Sequence, residues 1–296
     1  MPGRQPFTVL CQLLGRKPTA TRVDLHIHTT CSDGSYTPAE IVNLAGRSGM
    51  PALAITDHDT VAGITQARLV AHDHLEVIAG VEISAHDGNR PIHLLGYFFD
   101  VADRDLATAL ARLQALRAER YREMVERLRH LGIAMEPMTS DVPAASSLGR
   151  RHLAERLVHA GLVSSAGEAF GRFLRDGGPA AVPFRGLAIN EAIRVIQRAG
   201  GVAGWAHPPP DATLDDVRRL SELGLQALEV EFPACSPRRG RELRLWASHT
   251  GLAVTGGSDC HGPDDPRRQR GAGGVTLKEV QNLAKRAGVD TRSVSV

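Results

Sequence analysis

The stretch Asp-Leu-His-Ile-His at residues 24–28 alternates polar and apolar side chains. Side chains on a β-strand point to opposite faces in turn, so His26 and His28 are expected to lie side by side with Asp24, opposite a buried apolar face. Asp33 follows in a tight turn, just before a helix that begins near residue 37. Imidazole and carboxylate groups at the end of a strand are typical of a metal site. Taken alone, the same pattern is also that of an ordinary half-exposed strand.

Further histidines and carboxylates follow other predicted strands. The triplet Asp-His-Asp at residues 57–59, which contains His58, comes directly after the buried run 51–56, and similar side chains follow the predicted strands 202–206 and 252–255. Two more candidates lie within strands that a turn at residues 87–89 joins as a hairpin. The candidate metal ligands are His26, His28, Asp33, His58, Glu82, His93, His207, Asp259 and His261.

This set of side chains limits the metal and the chemistry. Imidazole and carboxylate without thiolate suit Zn²⁺, Mn²⁺ or Fe²⁺ and argue against a structural zinc site. A catalytic ion keeps about three or four protein ligands, so the set implies two or three ions, with Glu82 and Asp259 as bridges. Clustered ions lower the pKa of a shared water and neutralise phosphoryl oxygens. The predicted chemistry is therefore metal-assisted hydrolysis.

The elements that must position these residues alternate between strand and helix. Short connections and repeated strand–helix units predict an α/β fold with a parallel sheet, and their number suggests a closed or nearly closed barrel. In such barrels the chemistry lies at the C-terminal ends of the strands, where most of the candidates fall. We expect a barrel made of residues 22–102 and 185–296, preceded by a flexible extension at residues 1–21.

Residues 103–184 are expected to form a helical insertion beside the barrel. Its long first helix, residues 103–131, carries Arg117 and Arg120 on the side that should be buried. Such arginines either have a charged partner there or extend past the edge of the core into water. Arg150 begins another helix, where free backbone N–H groups favour an anion.

Bulk composition excludes several classes of protein. The formal net charge of +2 does not suggest a protein that coats nucleic acid. The four cysteines have no paired spacing, which fits a reducing, cytoplasmic setting without disulfides. No apolar run is long enough to span a membrane.

Seven short motifs together resemble those of the PHP (polymerase and histidinol phosphatase) superfamily, in order and with similar spacing, over residues 22–271. They are Asp-Leu-His-Ile-His-Thr at 24–29, Ser-Asp-Gly at 32–34, Thr-Asp-His-Asp at 56–59, Gly-Val-Glu at 80–82, His-Leu-Leu-Gly-Tyr at 93–97, Ala-His-Pro at 206–208 and Ser-Asp-Cys-His-Gly at 258–262. The resemblance implies a distorted (β/α)₇ TIM-like barrel with a trinuclear metal site. It implies one ion held by His26, His28, Glu82 and Asp259, a second by Asp33, His58 and His261, and a third by Glu82, His93 and His207.

Within the superfamily, the arginine-bearing insertion resembles the branch of 3′,5′-nucleotide bisphosphate phosphatases and the related 5′-to-3′ exoribonuclease. By this analogy Arg117, Arg120 and Arg150 would bind the phosphates of the nucleotide. The chain departs from the branch at Arg151, where proline is usual, so the path of this loop is open. His152 is either a partner at the helix start or a catalytic acid.

We therefore expect a metal-dependent phosphoesterase that removes the 3′-phosphate of a nucleoside 3′,5′-bisphosphate. The alternative is a 5′-to-3′ exoribonuclease acting on short RNA, and a histidinol phosphate phosphatase or a metal-binding scaffold without activity is less favoured. Asp33, His207 and Asp259 are assigned catalytic roles, and the aspartates at positions 24, 57 and 59 are expected to orient imidazoles. The expected cofactors are two or three divalent ions, with Mn²⁺ preferred. The expected partner is a small nucleotide or short oligonucleotide, with no membrane and no obligate protein partner.

Overall fold

The computed structural model describes residues 22–71, 74–133, 147–262 and 274–289. The strands are β1 Arg22–Val23, β2 Ala52–Ile55, β3 Glu76–Asp87, β4 Arg90–Tyr97, β5 Leu187–Ala188, β6 Val202–Trp205, β7 Ala227–Glu231, β8 Ala253–Gly256 and β9 Val275–Thr276. The α-helices are α1 Pro38–Arg47, α2 Ala62–Val70, α3 Arg104–His130, α4 Arg150–His159, α5 Ala166–Ala169, α6 Ile189–Arg198, α7 Leu214–Glu222, α8 Pro237–His249 and α9 Leu277–Arg286. A π-helical turn at Phe170–Leu174 continues α5.

The main sheet follows the strand order β2-β3-β4-β6-β7-β8, and β5 pairs with β3. Neighbouring strands are parallel except that β4 runs antiparallel to both β3 and β6. The tight hairpin at residues 87–89 forces this reversal, because a chain that turns back within a few residues can only pair antiparallel. The sheet is therefore parallel apart from β4, whose antiparallel pairing with β3 is the hairpin predicted at residues 87–89.

The segment 24–28 closes the sheet into a distorted barrel. On one side it pairs with β2, since Ala54 N donates to Asp24 O at 2.9 Å. On the other side it pairs with the residues that follow β8, since His28 N donates to Cys260 O at 3.0 Å. Regular strand structure is confined to Arg22–Val23, and the rest of the segment pairs through the isolated bridges Asp24–Leu53 and Ile27–Cys260. The α/β barrel expected from the sequence is confirmed.

Both faces of segment 24–28 are buried, which the sequence pattern did not predict. His26 and His28 are as inaccessible to solvent as the apolar residues beside them. The polar side of the segment faces the interior of the barrel mouth, so its imidazoles need partners there. Glu82 and Asp259 provide such partners to both imidazoles.

Local signals in the sequence account for where several helices begin. Thr37 caps α1 in a complete capping box with Glu40, and Pro38 occupies the first turn. Asp103 caps α3 by accepting a hydrogen bond from Leu106 N at 2.8 Å. At α4 the cap is different, because Gly149 N donates to His152 Nδ1 at 3.0 Å. His152 is thus a partner at the helix start, one of the two roles considered for it.

The apolar residues form three clusters. Two of them belong to the barrel and to the helices packed on it. The third lies among α3, α4 and the turn after α5, and includes Tyr121, Leu128, Leu153 and Leu174. Residues 103–184 thus contain packing of their own, while the proposed division of the chain into a barrel and an insertion stays a prediction.

Two further expectations concern the ends of the chain and the membrane. The extension at residues 1–21 lies outside the described residues. Among the helices that the structure describes, none is both long and apolar enough to cross a membrane.

Candidate metal centre

The nine predicted ligands come together at one end of the barrel, with Glu82 at the centre. Glu82 Oε2 lies 3.1 Å from His28 Nε2, 3.1 Å from His58 Nδ1 and 3.4 Å from His26 Nε2. Glu82 Oε1 lies 2.9 Å from His93 Nδ1. A single buried carboxylate therefore faces imidazoles from several strands, which is the arrangement expected of a bridging ligand.

Two other carboxylates extend the cluster. Asp33 Oδ1 is 3.2 Å from His261 Nε2 and 4.0 Å from His58 Nε2. Asp259 Oδ1 is 3.3 Å from His28 Nε2 and 3.5 Å from His261 Nδ1. Each carboxylate thus joins imidazoles that come from different parts of the chain.

Within the part of the chain that the structure describes, four groups of side chains have potential ligand atoms within 4.8 Å of one another. They are His28 with Asp33, His58 and His261; His26 with His207 and Asp259; His26 with His28 and Glu82; and His58 with Glu82 and His93. His207 also approaches Glu82, with Nε2 2.8 Å from Oε1. The grouping overlaps with the three ligand sets expected from the resemblance but is not identical to them, and the assignment of ligands to individual ions stays a prediction.

Strand register explains why Glu82 and His93 face the same volume. Glu82 pairs with Leu95 and Ser84 pairs with His93 across the β3–β4 hairpin. Residues two apart on a strand share a face, so the side chains of Glu82 and His93 are diagonal neighbours on one face of the sheet. Their sequence separation is eleven residues, yet the hairpin brings them into contact.

Backbone strain is concentrated at this site. Among the described residues, positive φ at non-glycine positions occurs at Asp59, Phe98, His207 and Asp259, with φ of 52°, 60°, 28° and 45°. Two of these are candidate ligands, and Asp59 directly follows the ligand His58. Such conformations cost free energy and persist where the surrounding contacts hold them, commonly at functional sites.

The donor set fits divalent cations. Asp33 Oδ1 and His58 Nδ1 are buried and form no hydrogen bond of normal geometry within the described ranges. His26 Nε2 and His28 Nε2 approach each other to 3.2 Å. Polar atoms from several residues thus point into the same small volumes, which is costly unless something bound there compensates them. Bound cations would compensate both the carboxylates and the imidazole lone pairs.

The charges of the ligands depend strongly on one another. Burial alone would raise the pKa of Glu82, but His58, His93 and His26 hold it well below its usual range. Burial lowers the pKa of His28, yet hydrogen bonds with Asp259 and Glu82 raise it to about 9. By contrast, burial outweighs the carboxylates of Glu82 and Asp33 at His58 and holds the pKa of this imidazole well below its usual range.

Glu229 belongs to the site, although sequence reasoning missed it. Its Oε1 lies 2.9 Å from His26 Nδ1, and its Oε2 accepts a hydrogen bond from His207 N. It is fully buried on β7. The available signal was an acidic residue within the otherwise apolar run Ala-Leu-Glu-Val, because a buried carboxylate requires a partner.

The three aspartates expected to orient imidazoles do so indirectly or not at all. Asp24 Oδ1 instead accepts from the backbone N–H groups of His26 and Ser258, at 3.1 and 2.9 Å. Asp57 accepts from Ser32 Oγ at 2.6 Å, and Ser32 Oγ lies 3.4 Å from His28 Nδ1, so its effect on that imidazole passes through the serine. Asp59 pairs with an arginine, as described next.

The three arginines assigned to phosphate binding differ in their surroundings. Arg117 is buried, pairs with Asp59 through Nε and donates from Nη2 to Ser84 Oγ at 2.7 Å. A charged partner for Arg117 is therefore found, as one of the two readings predicted. Arg120 donates to a backbone carbonyl, and Arg150 pairs with the exposed Asp176 at 2.6 Å. Their binding of phosphate stays a prediction.

A cleft of about 740 Å³ opens over the ligands. His58, Glu82, His93, His207, Asp259 and His261 form its floor. Its walls are formed by the loop after β6 and by the chain between β7 and the first turn of α8. The volume is in the range of about 300–1,000 Å³ that is typical of small-molecule sites.

Comparisons with known proteins agree with this geometry. Residues 24–139 match the family model of the PHP domain. The chain is 36% identical to a 5′-3′ exoribonuclease of Haemophilus influenzae, over 82% of this chain and 90% of that protein. It is 32% identical to a 3′,5′-nucleoside bisphosphate phosphatase of Chromobacterium violaceum, over 84% of this chain and 90% of that protein.

Among solved structures, a candidate metal-dependent phosphoesterase from Bifidobacterium adolescentis superposes with a TM-score of 0.83 at 30% identity. The superposition covers 94% of this chain and 100% of the other. One assignment follows from three findings in this chain. They are its cluster of imidazoles and carboxylates, its α/β barrel, and relatives that match most of its length. The chain belongs to the PHP domain family and is a metal-dependent phosphoesterase.

Proposed function

We propose that this protein hydrolyses the 3′-phosphate of nucleoside 3′,5′-bisphosphates, releasing the nucleoside 5′-monophosphate and inorganic phosphate. The observation that carries the proposal is the position of an arginine-bearing helical region beside a cluster of nine candidate metal ligands. The start of α4 lies close to both groups, because a Cβ atom at Gly149 would be 3.6 Å from Asp33 Oδ2 and 3.7 Å from Arg117 Nη1. A phosphate at the ligands and a second phosphate at the arginines would therefore be close neighbours.

The arginines form a site with excess positive charge. Burial, together with the neighbouring charges of Arg150 and Arg117, lowers the pKa of Arg120 to about 10. The guanidinium groups of Arg117 and Arg120 lie 5.2 and 5.3 Å from the ring of Phe184. A bound anion would reduce the repulsion between these like charges, and phosphate matches the hydrogen-bonding geometry of the planar guanidinium group.

The ligands have a defined part in this reaction. Divalent ions held by the nine side chains would supply an activated water and stabilise negative charge on the phosphoryl oxygens. Glu82 and Asp33 stay ionised because imidazoles surround them, and Glu229 fixes the orientation of His26. In the reaction, water adds to phosphorus, the bond from phosphorus to the 3′-oxygen breaks, and a proton is transferred to that oxygen.

The finer features of the cofactor and compartment are also part of the proposal. We favour Mn²⁺ because imidazole and carboxylate ligands suit it, with Zn²⁺ and Fe²⁺ as the alternatives. A cytoplasmic location is supported by cysteines without paired spacing. Metal content after purification under reducing, metal-free conditions and activity after reconstitution with each ion would distinguish the metals.

The alternative activity is 5′-to-3′ trimming of short RNA. It breaks the same kind of bond, because release of a 5′-monophosphate from the 5′ end of RNA also cleaves a bond between phosphorus and a 3′-oxygen. Two of the relatives that the chain matches carry these two activities in their names. The specific observation that favours the alternative is the cleft, which continues beyond the ligands toward Arg238.

The test is phosphate release from adenosine 3′,5′-bisphosphate with Mn²⁺, run beside a 5′-phosphorylated RNA trimer and histidinol phosphate. We expect rapid release from the bisphosphate and little turnover of histidinol phosphate. The variant Asp259→Asn should keep its fold and lose activity. If the metal-loaded wild type acts on none of the three substrates, the proposal is wrong and a non-catalytic metal-binding role becomes the better explanation.

A further inference from the structure

The cleft extends away from the proposed arginine site. Its walls beyond the ligands are the loop Pro208–Pro210 on one side and the chain from Phe232 to Arg238 on the other. None of Arg117, Arg120 and Arg150 is among its lining residues. The start of α4 abuts Asp33, whereas the cleft continues past His207. The ligands therefore lie between two separate places where a substrate could be held.

The walls of the cleft suit a flat apolar group. Pro208, Pro209 and Pro210 present carbon surface and no backbone N–H donor toward a ligand. The ring of Phe232 is half-buried and lies 6.4 Å from the ring of His207, edge to face. An exposed aromatic face beside a catalytic site is typical of sites that stack nucleobases without selecting among them.

These walls are held in place by Arg239. Its Nη2 donates to Pro209 O at 3.2 Å and to Ala212 O at 3.0 Å, which ties the first turn of α8 to the loop after β6. Its guanidinium also lies over the ring of Trp246, 4.5 Å from the centroid. The two walls thus keep their spacing without a ligand, which reduces the entropy lost on binding.

Arg238 differs from its neighbour. It is exposed, it lines the cleft, and it forms no hydrogen bond or ion pair with any residue in the described ranges. An arginine without a protein partner at the rim of a cleft is available to a phosphate or other anion. The cleft therefore offers an aromatic surface beside His207 and, on the same wall, an exposed positive charge.

We propose that this cleft binds the nucleotide downstream of the scissile phosphate in a 5′-phosphorylated oligoribonucleotide. Phe232 stacks on the base of that nucleotide, and Arg238 contacts the phosphate that follows it. The inference rests on the proposed function and extends it, because a nucleoside bisphosphate ends at the phosphate on the ligands and leaves the cleft unused.

The reaction balances for such a substrate. Water adds to the phosphorus of the first internucleotide linkage, and the bond from phosphorus to the 3′-oxygen of the terminal nucleotide breaks. A proton goes to that oxygen, so the terminal nucleotide leaves as a 5′-monophosphate. The shortened RNA keeps a 5′-phosphate and can be bound again in the same way.

The experiment compares kcat/KM for a 5′-phosphorylated RNA trimer with kcat/KM for adenosine 3′,5′-bisphosphate in metal-loaded full-length protein. We expect the ratio of trimer to bisphosphate to fall about tenfold in Phe232→Leu, since stacking on an aromatic ring contributes strongly to single-strand binding. A similar fall is expected in Arg238→Ala, with a shallower dependence of log KM for the trimer on log salt. The matched control is Arg241→Ala, an exposed arginine of the same helix that does not line the cleft, and it should leave the ratio unchanged.

Several results would overturn the inference without touching the proposed function. One is a wild type that hydrolyses the bisphosphate but not the trimer. A second is an unchanged ratio in both variants. A third is an equal loss on both substrates in Phe232→Leu, which would place the base of the terminal nucleotide in the cleft instead. Failure of the wild type on both substrates would instead reject the proposed function itself.

Discussion

Replacing Glu229 by glutamine tests whether a buried carboxylate outside the ligand set positions the metal centre. The two oxygens of Glu229 accept from two different donors, His26 Nδ1 at 2.9 Å and the backbone N–H of His207. A glutamine has one oxygen and one NH₂ group, so it can satisfy only one of these donors. The other donor then faces an NH₂ group in a fully buried position.

The size of the effect follows from those contacts. One charge-assisted hydrogen bond is lost, worth about 1.5–3 kcal/mol, and the other becomes a weaker bond to a neutral amide. Removal of such partners of metal-bound histidines typically lowers metal affinity about 10–100-fold. That range corresponds to about 1.4–2.7 kcal/mol, which agrees with the hydrogen-bond estimate. We therefore expect Glu229→Gln to bind Mn²⁺ at least tenfold more weakly than the wild type.

The assay is calorimetric titration of the metal-free protein with Mn²⁺, with activity measured over a series of Mn²⁺ concentrations. Activity should return at high Mn²⁺ if the loss is one of affinity. The control is Glu231→Gln, two residues along β7, because Glu231 pairs with Arg22 and Arg244 and contacts no candidate ligand in the described structure. Equal Mn²⁺ affinity in wild type and Glu229→Gln, or an equal loss in both variants, would refute the reasoning.

Other predictions address the ion pair, the protonation state and the packing of the site. Replacing Arg117 by alanine leaves the buried charge of Asp59 without its partner, and we expect the free energy of unfolding in urea to fall by about 3–5 kcal/mol. Because hydrogen bonds with Asp259 and Glu82 outweigh burial and raise the pKa of His28 to about 9, the metal-free imidazole is protonated at pH 7. Mn²⁺ must displace that proton, so its affinity should rise with pH up to about 9, with proton release measured by calorimetry in two buffers. Replacing Gly257 by alanine would place a methyl group 2.3 Å from the backbone nitrogen of His26. We expect the free energy of unfolding, measured by thermal unfolding, to fall by about 1–3 kcal/mol.

Matched controls separate these effects from general damage. Arg112 lies on the same helix as Arg117 and forms an exposed ion pair with Glu191. Arg112→Ala removes this pair and should lower the free energy of unfolding by no more than about 1 kcal/mol. Gly171→Ala adds a methyl group where no atom lies within 4 Å, so thermal unfolding should be nearly unchanged. Unchanged stability in Arg117→Ala would show that this arginine serves the substrate alone. Equal Mn²⁺ affinity at pH 6 and pH 8 would contradict the protonation argument.

The sequence was most informative where a short local pattern corresponds to one structure. Thr37 with Glu40 predicted the start of a helix, and the turn at residues 87–89 predicted a hairpin, and both are observed. The nine candidate ligands were found because imidazoles and carboxylates recur after apolar runs, and the structure brings them all into one cluster. These inferences hold because each depends on residues close together in the chain or on the common end of a sheet.

The sequence was least informative where the partner is remote. Asp59 was expected to orient an imidazole, yet it pairs with Arg117, 58 residues away. Glu229 contacts His26 across 203 residues, and no local pattern marks that pair. Partners such as these are chosen by which strand lies beside which, and periodicity along one strand carries no information about its neighbours.

The sequence by itself determined the class of the fold, the set of side chains able to bind metal and the presence of arginines on a buried helix face. Tertiary structure decided which of these side chains contact one another, because closure of the barrel by residues 24–28 brings strand ends together from distant parts of the chain. It also decided the register of the β3–β4 hairpin, which puts Glu82 and His93 on one face. The physical reason is that covalent neighbours set local conformation and residue type, whereas distances between ligands depend on the packing of the whole barrel.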